Sequence, residues 1–399
     1  MSRKTQLGID RCLADPPPTL RGAKFGLLMN QASVDGRLRY TCDALAERFP
    51  DQLVSLLSPQ HGLWCEEQDN MIETPHSIYA PLKVPLYSLY SETRKPTNAM
   101  LADLDCLLID LQDVGTRVYT FVWTVTHCLE ACAEADIPVL LLDRPNPLGG
   151  SVVEGPLLDP AFSSFVGLAS LPMRHGLTLG ELAAFVNKHL QIGASLSVVP
   201  MSGWERDMYW PETGLAWIPP SPNMPRFETA MVYPGQVLLE GTNLSEGRGT
   251  TSPFEVLGAP FINQDMLNDN LTQLGLPGLV PRPIRFRPAF NKWHDRSCGG
   301  IALSISDNFS EVRSYAATLA VMSAVRDLWP EDFKLNPPPY EYETKKLPMD
   351  ILTGGNQVSS RLAAGPLTQS DISDLAEIDH AAWIEATSEF LLYPVSRRR

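Results

Sequence analysis

Residues 58–73, Ser-Pro-Gln-His-Gly-Leu-Trp-Cys-Glu-Glu-Gln-Asp-Asn-Met-Ile-Glu, bring one imidazole, four carboxylates and three carboxamides into sixteen positions. Similar polar clusters recur along the chain. They are Asp110, Gln112, Asp113 and Arg117; Asp143, Arg144 and Asn146; Arg174 and His175; Asn223; and Glu240, Asn243, Glu246 and Arg248. Carboxylates interleaved with amides, arginines and tryptophans suit a sugar. Hydroxyls take bidentate acceptors and donors, a pyranose face takes an aromatic ring, and glycosidic cleavage needs a carboxylic acid of raised pKa beside a second polar group. The arginines add a fork for an acidic substituent. Each cluster also has a plainer reading. Asp110 and Asp143 could cap helices, Arg117 could pair with Asp113 one turn earlier, and His61 and His175, each followed by Gly, could serve turns. Trp204, Trp210 and Trp217 read more readily as packing than as sugar platforms.

What must position these groups is a series of short apolar runs. Residues 24–31, 53–57, 84–90, 105–111, 138–142 and 196–200 read as strands, and the polar clusters follow the ends of several of them. Between them, 40–49, 97–104, 117–135 and 178–189 have helical spacing, the last opened by a Thr178/Glu181 capping box. Strands alternating with helices imply right-handed crossovers and a mainly parallel, doubly wound α/β sheet of Rossmann-like type. Loops leaving the carboxyl ends of such strands are where ligands bind. Past residue 262 the character changes to proline-rich strand-like stretches (281–288), a run at 300–306 and amphipathic helices at 311–329 and 371–392. The division expected is therefore a domain over 1–262 carrying most of the site and a smaller α+β domain over 263–399 closing a cleft.

A chain of 399 residues with 20% charged and 44% hydrophobic residues has the make-up of a globular enzyme of two domains. Its net charge of −14 disfavours nucleic acid and anionic membranes as partners. No run of about 18 apolar residues occurs, so no membrane span is expected. The first 23 residues lack the apolar segment of a secretory signal, and the seven scattered cysteines fit reduced thiols in a cytoplasmic protein. No CxxC or HExxH pattern calls for a metal. Neither GxGxxG nor GxxxxGK[S/T] follows the first strand, and GxSxG is missing, so a dinucleotide enzyme and an ordinary α/β-hydrolase are both disfavoured. The Gly-Arg-Gly-Thr-Thr run at 247–251 could cradle a phosphate, as a nucleotide-sugar enzyme would need, but so short a glycine cluster is a weak signal.

Taken together, SPQHG (58–62), LIDLQDVGTRVYTF (108–121), LDRPNP (142–147), VEGP (153–156), PMRHGLT (172–178), PSPNMP (220–225) and LLEGTNLSEGRGTTSPFE (238–255) resemble the NamZ-type exo-β-N-acetylmuramidases. The resemblance runs from about residue 24 past 261 and more loosely beyond. It implies a Rossmann-like domain with a smaller companion, no metal or organic cofactor, and a small amino-sugar or muropeptide substrate. The implied reaction is release of N-acetylmuramic acid from the non-reducing end of peptidoglycan fragments. In peptidoglycan recycling, the lactyl carboxylate of that sugar would be the acidic group that Arg174 or Arg144 meets.

One position departs from the family. Pro-Glu-His-Gly is common in the first loop, and here the glutamate is Gln60, which cannot donate and recover a proton at neutral pH. Glu73, then Glu66 or Glu67, becomes the expected general acid. Alternatively Gln60 orients a substrate amide or water while Glu246 or Asp113 carries the proton, or the chain binds muropeptides without cleaving them. On the first reading Gln60 and His61 position the glycosidic oxygen or acetamide. Asp113 and Arg117 hold the sugar beside Asp143, Asn146, His175, Asn223 and Glu240, and Asn243, Glu246 and Arg248 close the far side.

Overall fold

The computed structural model describes residues 5–69 and 72–395. Its larger sheet is built from β1 (Phe25–Met29), β2 (Leu53–Ser58), β3 (Ser77–Tyr79), β4 (Val84–Ser88), β5 (Cys106–Asp110), β6 (Val139–Leu142) and β7 (Leu196–Val199). The order is β3-β4-β2-β1-β5-β6-β7. Every neighbouring pair is parallel except the β3–β4 edge ribbon. β1, β5 and β6 are buried along their whole length, as expected of parallel strands covered on both faces. The order turns at β1: the chain first builds outward through β2 and β4, then returns to lay β5 on the other side.

Helix Phe121–Glu134 covers one face, with ten buried side chains including the whole of Trp123. It starts four residues later than its apolar spacing suggests. The Arg117 amide donates to the Met173 carbonyl, and Thr116 bridges Arg174, so 116–120 is held as a loop. The 97–104 helix is only Asn98–Leu101.

A second, antiparallel sheet is ordered β8 (Val256–Ala259), β10 (Cys298–Ile305), β9 (Leu279–Phe286). β8 thus falls before residue 263, within the span the sequence reading gave to the first domain, yet it pairs in the second sheet. Gly300 makes this approach feasible, since a Cβ there would lie 1.9 Å from the Leu257 carbonyl oxygen. Helix Gln264–Leu274 packs on β9 and on helix Ser314–Leu328, and helix Phe227–Gln236 lies against the latter. Gly235 has no room for a side chain beside Ser314 at that crossing.

The long C-terminal helix expected over 371–392 is two helices, Gln369–Ala376 and His380–Thr387. Asp379 breaks it by accepting the Ala382 amide and starting the second helix. Both pack back on the larger unit: the Gly155 amide donates to the Ala376 carbonyl, and Trp383 Nε1 to the His175 carbonyl.

Candidate active site

At the carboxyl edge of the larger sheet a cleft of about 500 Å³, partly open to solvent, lies between the two units. The loop after β2 contributes Gln60 and His61, and the loop after β5 contributes Tyr119 and Thr120. Ser221 and Asn223 come from the tryptophan- and proline-rich segment, and Glu240 and Arg248 from the glycine-rich one. The C-terminal unit adds Tyr340 and Glu341.

Gln60 is buried and held at both ends, its Oε1 accepting from Thr120 Oγ1 at 2.7 Å and its Nε2 donating to the Tyr90 hydroxyl at 3.3 Å. His61 and Gly62 both have positive φ, 72° and 80°, which turns the chain sharply at the end of β2. His61 Nδ1 lies 2.8 Å from the Glu67 carbonyl. A carbonyl can only accept, so Nδ1 carries the proton and Nε2 keeps its lone pair. Burial pushes the His61 pKa down to about 4, so the ring is neutral.

The Glu240 carboxylate accepts from Arg248 at 2.8 Å and from the Tyr340 hydroxyl at 2.7 Å. Behind it, buried Glu246 faces Arg248 Nε at 3.4 Å and Lys292 Nζ at 2.9 Å. The Arg248 guanidinium also lies over the Phe254 ring, 5.1 Å from its centre. Facing this network is Glu341, 4% exposed, with φ of 43° and an Oε2 that has no hydrogen-bond partner among the described residues. Burial, and then the charge of Glu240, push its pKa up to about 8. A carboxyl group that keeps its proton at neutral pH beside a second carboxylate is the combination general acid catalysis requires.

The structure therefore gathers Gln60, His61, Asn223, Glu240 and Arg248 on one cleft, with Glu246 directly behind. Asn223 is anchored there by donating to the Gln68 carbonyl at 2.9 Å.

Other candidates from the sequence lie elsewhere. Glu73 is exposed and faces Arg94 at 3.5 Å, outside the cleft lining, where water solvates its carboxylate. Arg117 is fully buried and spends its guanidinium on the Pro156, Leu171 and Leu352 carbonyls. Arg144 is paired with Asp110 at 2.5 Å and Arg174 with Glu154 at 2.9 Å, both buried, so neither faces the cleft as the partner of an acidic substituent. Asp143 accepts from Thr178, Tyr393 and the Gly180 amide, and burial pushes its pKa up to about 6. Asn146 ties its own loop to Leu177, and Asn243 ties the glycine-rich segment to Asp332 and Lys334. Asp113 and His175 are buried together at 3.5 Å, with the Leu177 amide donating to His175 Nδ1.

Sequence reasoning missed Glu341, Tyr340 and Tyr119. A signal was present, because Pro-Pro-Pro-Tyr-Glu-Tyr-Glu at 337–343 interleaves acids with aromatics just as the earlier clusters do. It lies almost a hundred residues beyond the glycine-rich segment, and only tertiary packing joins the two. Among the described residues, no group of three or more His, Cys, Asp or Glu could hold a metal ion, and no helix is long and apolar enough to cross a membrane.

Comparison with known proteins gives matches along nearly the whole chain. The family profile described as exo-beta-N-acetylmuramidase NamZ, N-terminal, matches residues 25–228, and its C-terminal counterpart matches 231–393. A peptidoglycan beta-N-acetylmuramidase NamZ of Bacillus subtilis (strain 168) is 44% identical over 331 residues, covering 83% of this chain and 80% of that protein. Two crystal structures of DUF1343 family proteins from Bacteroides fragilis NCTC 9343 superpose along nearly the whole chain. One has a TM-score of 0.86 at 31% identity, covering 98% of this chain and 99% of its own. The other has a TM-score of 0.75 at 28% identity, covering 99% and 100%.

Proposed function

We infer the activity from one established premise: this chain belongs to the exo-β-N-acetylmuramidase NamZ family, whose two profiles match residues 25–228 and 231–393. It is a glycoside hydrolase that releases N-acetylmuramic acid from the non-reducing end of peptidoglycan fragments. The observation that carries the chemistry is Glu341, a buried carboxyl group holding its proton in the same cleft as the Glu240 carboxylate.

In the proposed reaction Glu341 donates its proton to the glycosidic oxygen as the bond from that oxygen to the sugar's anomeric carbon breaks. The Glu240 carboxylate, oriented by Arg248 and Tyr340, faces the positive charge that develops at that carbon. Water adds to the carbon and its released proton restores Glu341. Gln60, fixed by Thr120 and Tyr90, and His61, offering a neutral Nε2, position the sugar's polar substituents. Arg248 takes the place the sequence reading gave to Arg174 or Arg144, as the cationic group nearest an acidic sugar. Glu341 rather than Glu73 is the acid, because Glu341 is buried in the cleft beside Glu240 and Glu73 is exposed outside its lining.

We place this activity in the cytoplasm, in the recycling of wall fragments. The support is the seven cysteines, all buried free thiols, as a reducing compartment keeps them.

The test is to incubate the protein with a chromogenic β-N-acetylmuramide and the matching β-N-acetylglucosaminide. Release from the muramide alone, lost in Glu341→Gln, is the expected result. No release from either, with N-acetylmuramic acid still raising the melting temperature, would support a muropeptide-binding protein, the reading that Gln60 favours.

A further inference from the structure

Glu341 and Tyr342 are the central residues of a tight hairpin that Tyr340 and Glu343 close, the amide of each donating to the other's carbonyl at 2.9 Å. Both central residues have positive φ, 43° and 69°, as a type I′ turn requires. Such turns usually carry Asn-Gly, because a larger side chain is strained in the left-handed region. Here the pair is Glu-Tyr, and strain of this kind persists only where the surroundings over-determine it. The two side chains leave the turn for different places. Glu341 is buried in the cleft, while Tyr342 is 45% exposed.

What meets Tyr342 is Arg94, from the segment that follows β4. Its Nη2 donates to the Tyr342 hydroxyl at 2.6 Å, and its Nη1 donates to the Ser91 carbonyl, which fixes the guanidinium on its own loop. The guanidinium lies 4.1 Å from the centre of the Tyr90 ring and 4.9 Å from that of Tyr342. Phe165 completes the group, its ring centre 5.8 Å from Tyr90 and 5.9 Å from Tyr342. Tyr90 is also the residue whose hydroxyl accepts from Gln60 Nε2. One arginine therefore ties the turn that carries Glu341 to the tyrosine that holds Gln60. The further contact of Arg94 with Glu73, at 3.5 Å, is exposed on the glutamate side and contributes little.

We propose that Arg94 is a positioning residue for the reaction: by clamping Tyr342 against Tyr90 it holds the strained turn in place and keeps Glu341 shielded from water where it meets the glycosidic oxygen. This role rests on the activity inferred above, with Glu341 as its acid.

A clamp and a bare charge have opposite effects on Glu341. Burial is the largest influence keeping its proton, followed by the Glu240 charge. The Arg248 and Arg94 cations act against these and Asp69 adds to them, while the phenols of Tyr90, Tyr233 and Tyr340 also face the group. Removing only the charge of Arg94 lets Glu341 hold its proton to higher pH. Opening the clamp admits water, which favours the charged form, so the proton is lost at lower pH.

The test is the pH–rate profile of the full chain on the chromogenic muramide. For Arg94→Met we expect kcat to fall about tenfold with KM within about twofold of wild type, and the alkaline limb to move down by about one pH unit. Tyr342→Gly suits the left-handed backbone, so it is compatible with folding, and it removes the other half of the clamp. It should give the same downward shift. Arg94→Lys, which keeps a charge and a donor but not the fork, should recover part of the lost kcat. The double variant Arg94→Met/Tyr342→Gly should lose no more than either single one, because the two residues act together. An alkaline limb that stays in place or moves to higher pH in either single variant, or losses that add in the double one, overturns the clamp. Glu341→Gln belongs in the same series. Near-wild-type turnover there removes the acid role and the clamp with it, whereas its loss beside an unshifted Arg94→Met removes the clamp alone.

Discussion

Glu341 and Glu240 line the same cleft from segments about a hundred residues apart in the chain, and the negative charge of Glu240 helps hold the proton on Glu341. Glu240 is itself fixed by Arg248 and by the hydroxyl of Tyr340, the residue next to Glu341. One carboxyl is thus kept neutral by burial and a neighbouring charge, the other is kept as an acceptor by a cation and a phenol, and the two roles of a glycosidase separate.

Replacing Glu341 by Gln keeps the shape and removes the proton. We expect turnover of the muramide to fall about 10²- to 10⁴-fold, the usual contribution of a general acid, with sugar binding retained. Glu73→Gln, at an exposed carboxylate outside the cleft, should stay near wild type. Equal loss in both variants would return the acid role to Glu73.

The pH dependence follows from the signs of two groups. Glu341 holds its proton up to about pH 8, so turnover should fall as pH rises through that value. Its unfolded counterpart ionises near 4.5, so its contribution to stability is complete below that pH and declines between 4.5 and 8, by at most about 1.4 kcal/mol per unit. His61 acts oppositely. Its folded pKa near 4 lies below the unfolded 6.5, so its contribution is present above 6.5 and is lost as pH falls from 6.5 to 4. Urea denaturation across this range should show Glu341→Gln losing the alkaline decline and His61→Gln losing the acid one.

Gln60→Glu restores the family's usual residue. If Gln60 is a positioning group, this variant should keep turnover within about tenfold and move the alkaline limb to higher pH, since an added negative charge in the cleft favours protonated Glu341. Gln60→Ala should lose about 1–3 kcal/mol of stability by stranding the Thr120 and Tyr90 hydroxyls. An unmoved pH–rate profile in Gln60→Glu would separate the two residues.

Arg248→Met leaves Glu240 and Glu246 buried without their shared guanidinium, although Lys292 and Tyr340 remain. A loss of about 3–5 kcal/mol in denaturant unfolding is expected. Arg248→Lys should recover part of it, because an ammonium cannot reach both carboxylates in the fork geometry of the guanidinium.

Arg117→Met should lower stability by about 3 kcal/mol while leaving KM for the muramide unchanged, because its donors serve backbone carbonyls outside the cleft. A raised KM at unchanged melting temperature would put Arg117 back at the sugar.

The apolar runs by themselves determined the parallel sheet, because strands buried on both faces must be continuously hydrophobic and helices between them must cross in one hand. The motifs SPQHG, LDRPNP and EGTNLSEGRGT determined the family. Spacing also placed Gln60 and His61 on a loop leaving the sheet's carboxyl edge. What the sequence could not decide is which charged groups meet the ligand and which meet one another. Arg144, Arg174 and Arg117 look like ligand-binding arginines until Asp110, Glu154 and three carbonyls are brought to them from 20 to 235 residues away. Glu341 looks like one acid among many until the second unit folds it against Glu240 and strips it of water. A pKa depends on desolvation and on charges within a few ångströms, and both are properties of tertiary neighbours.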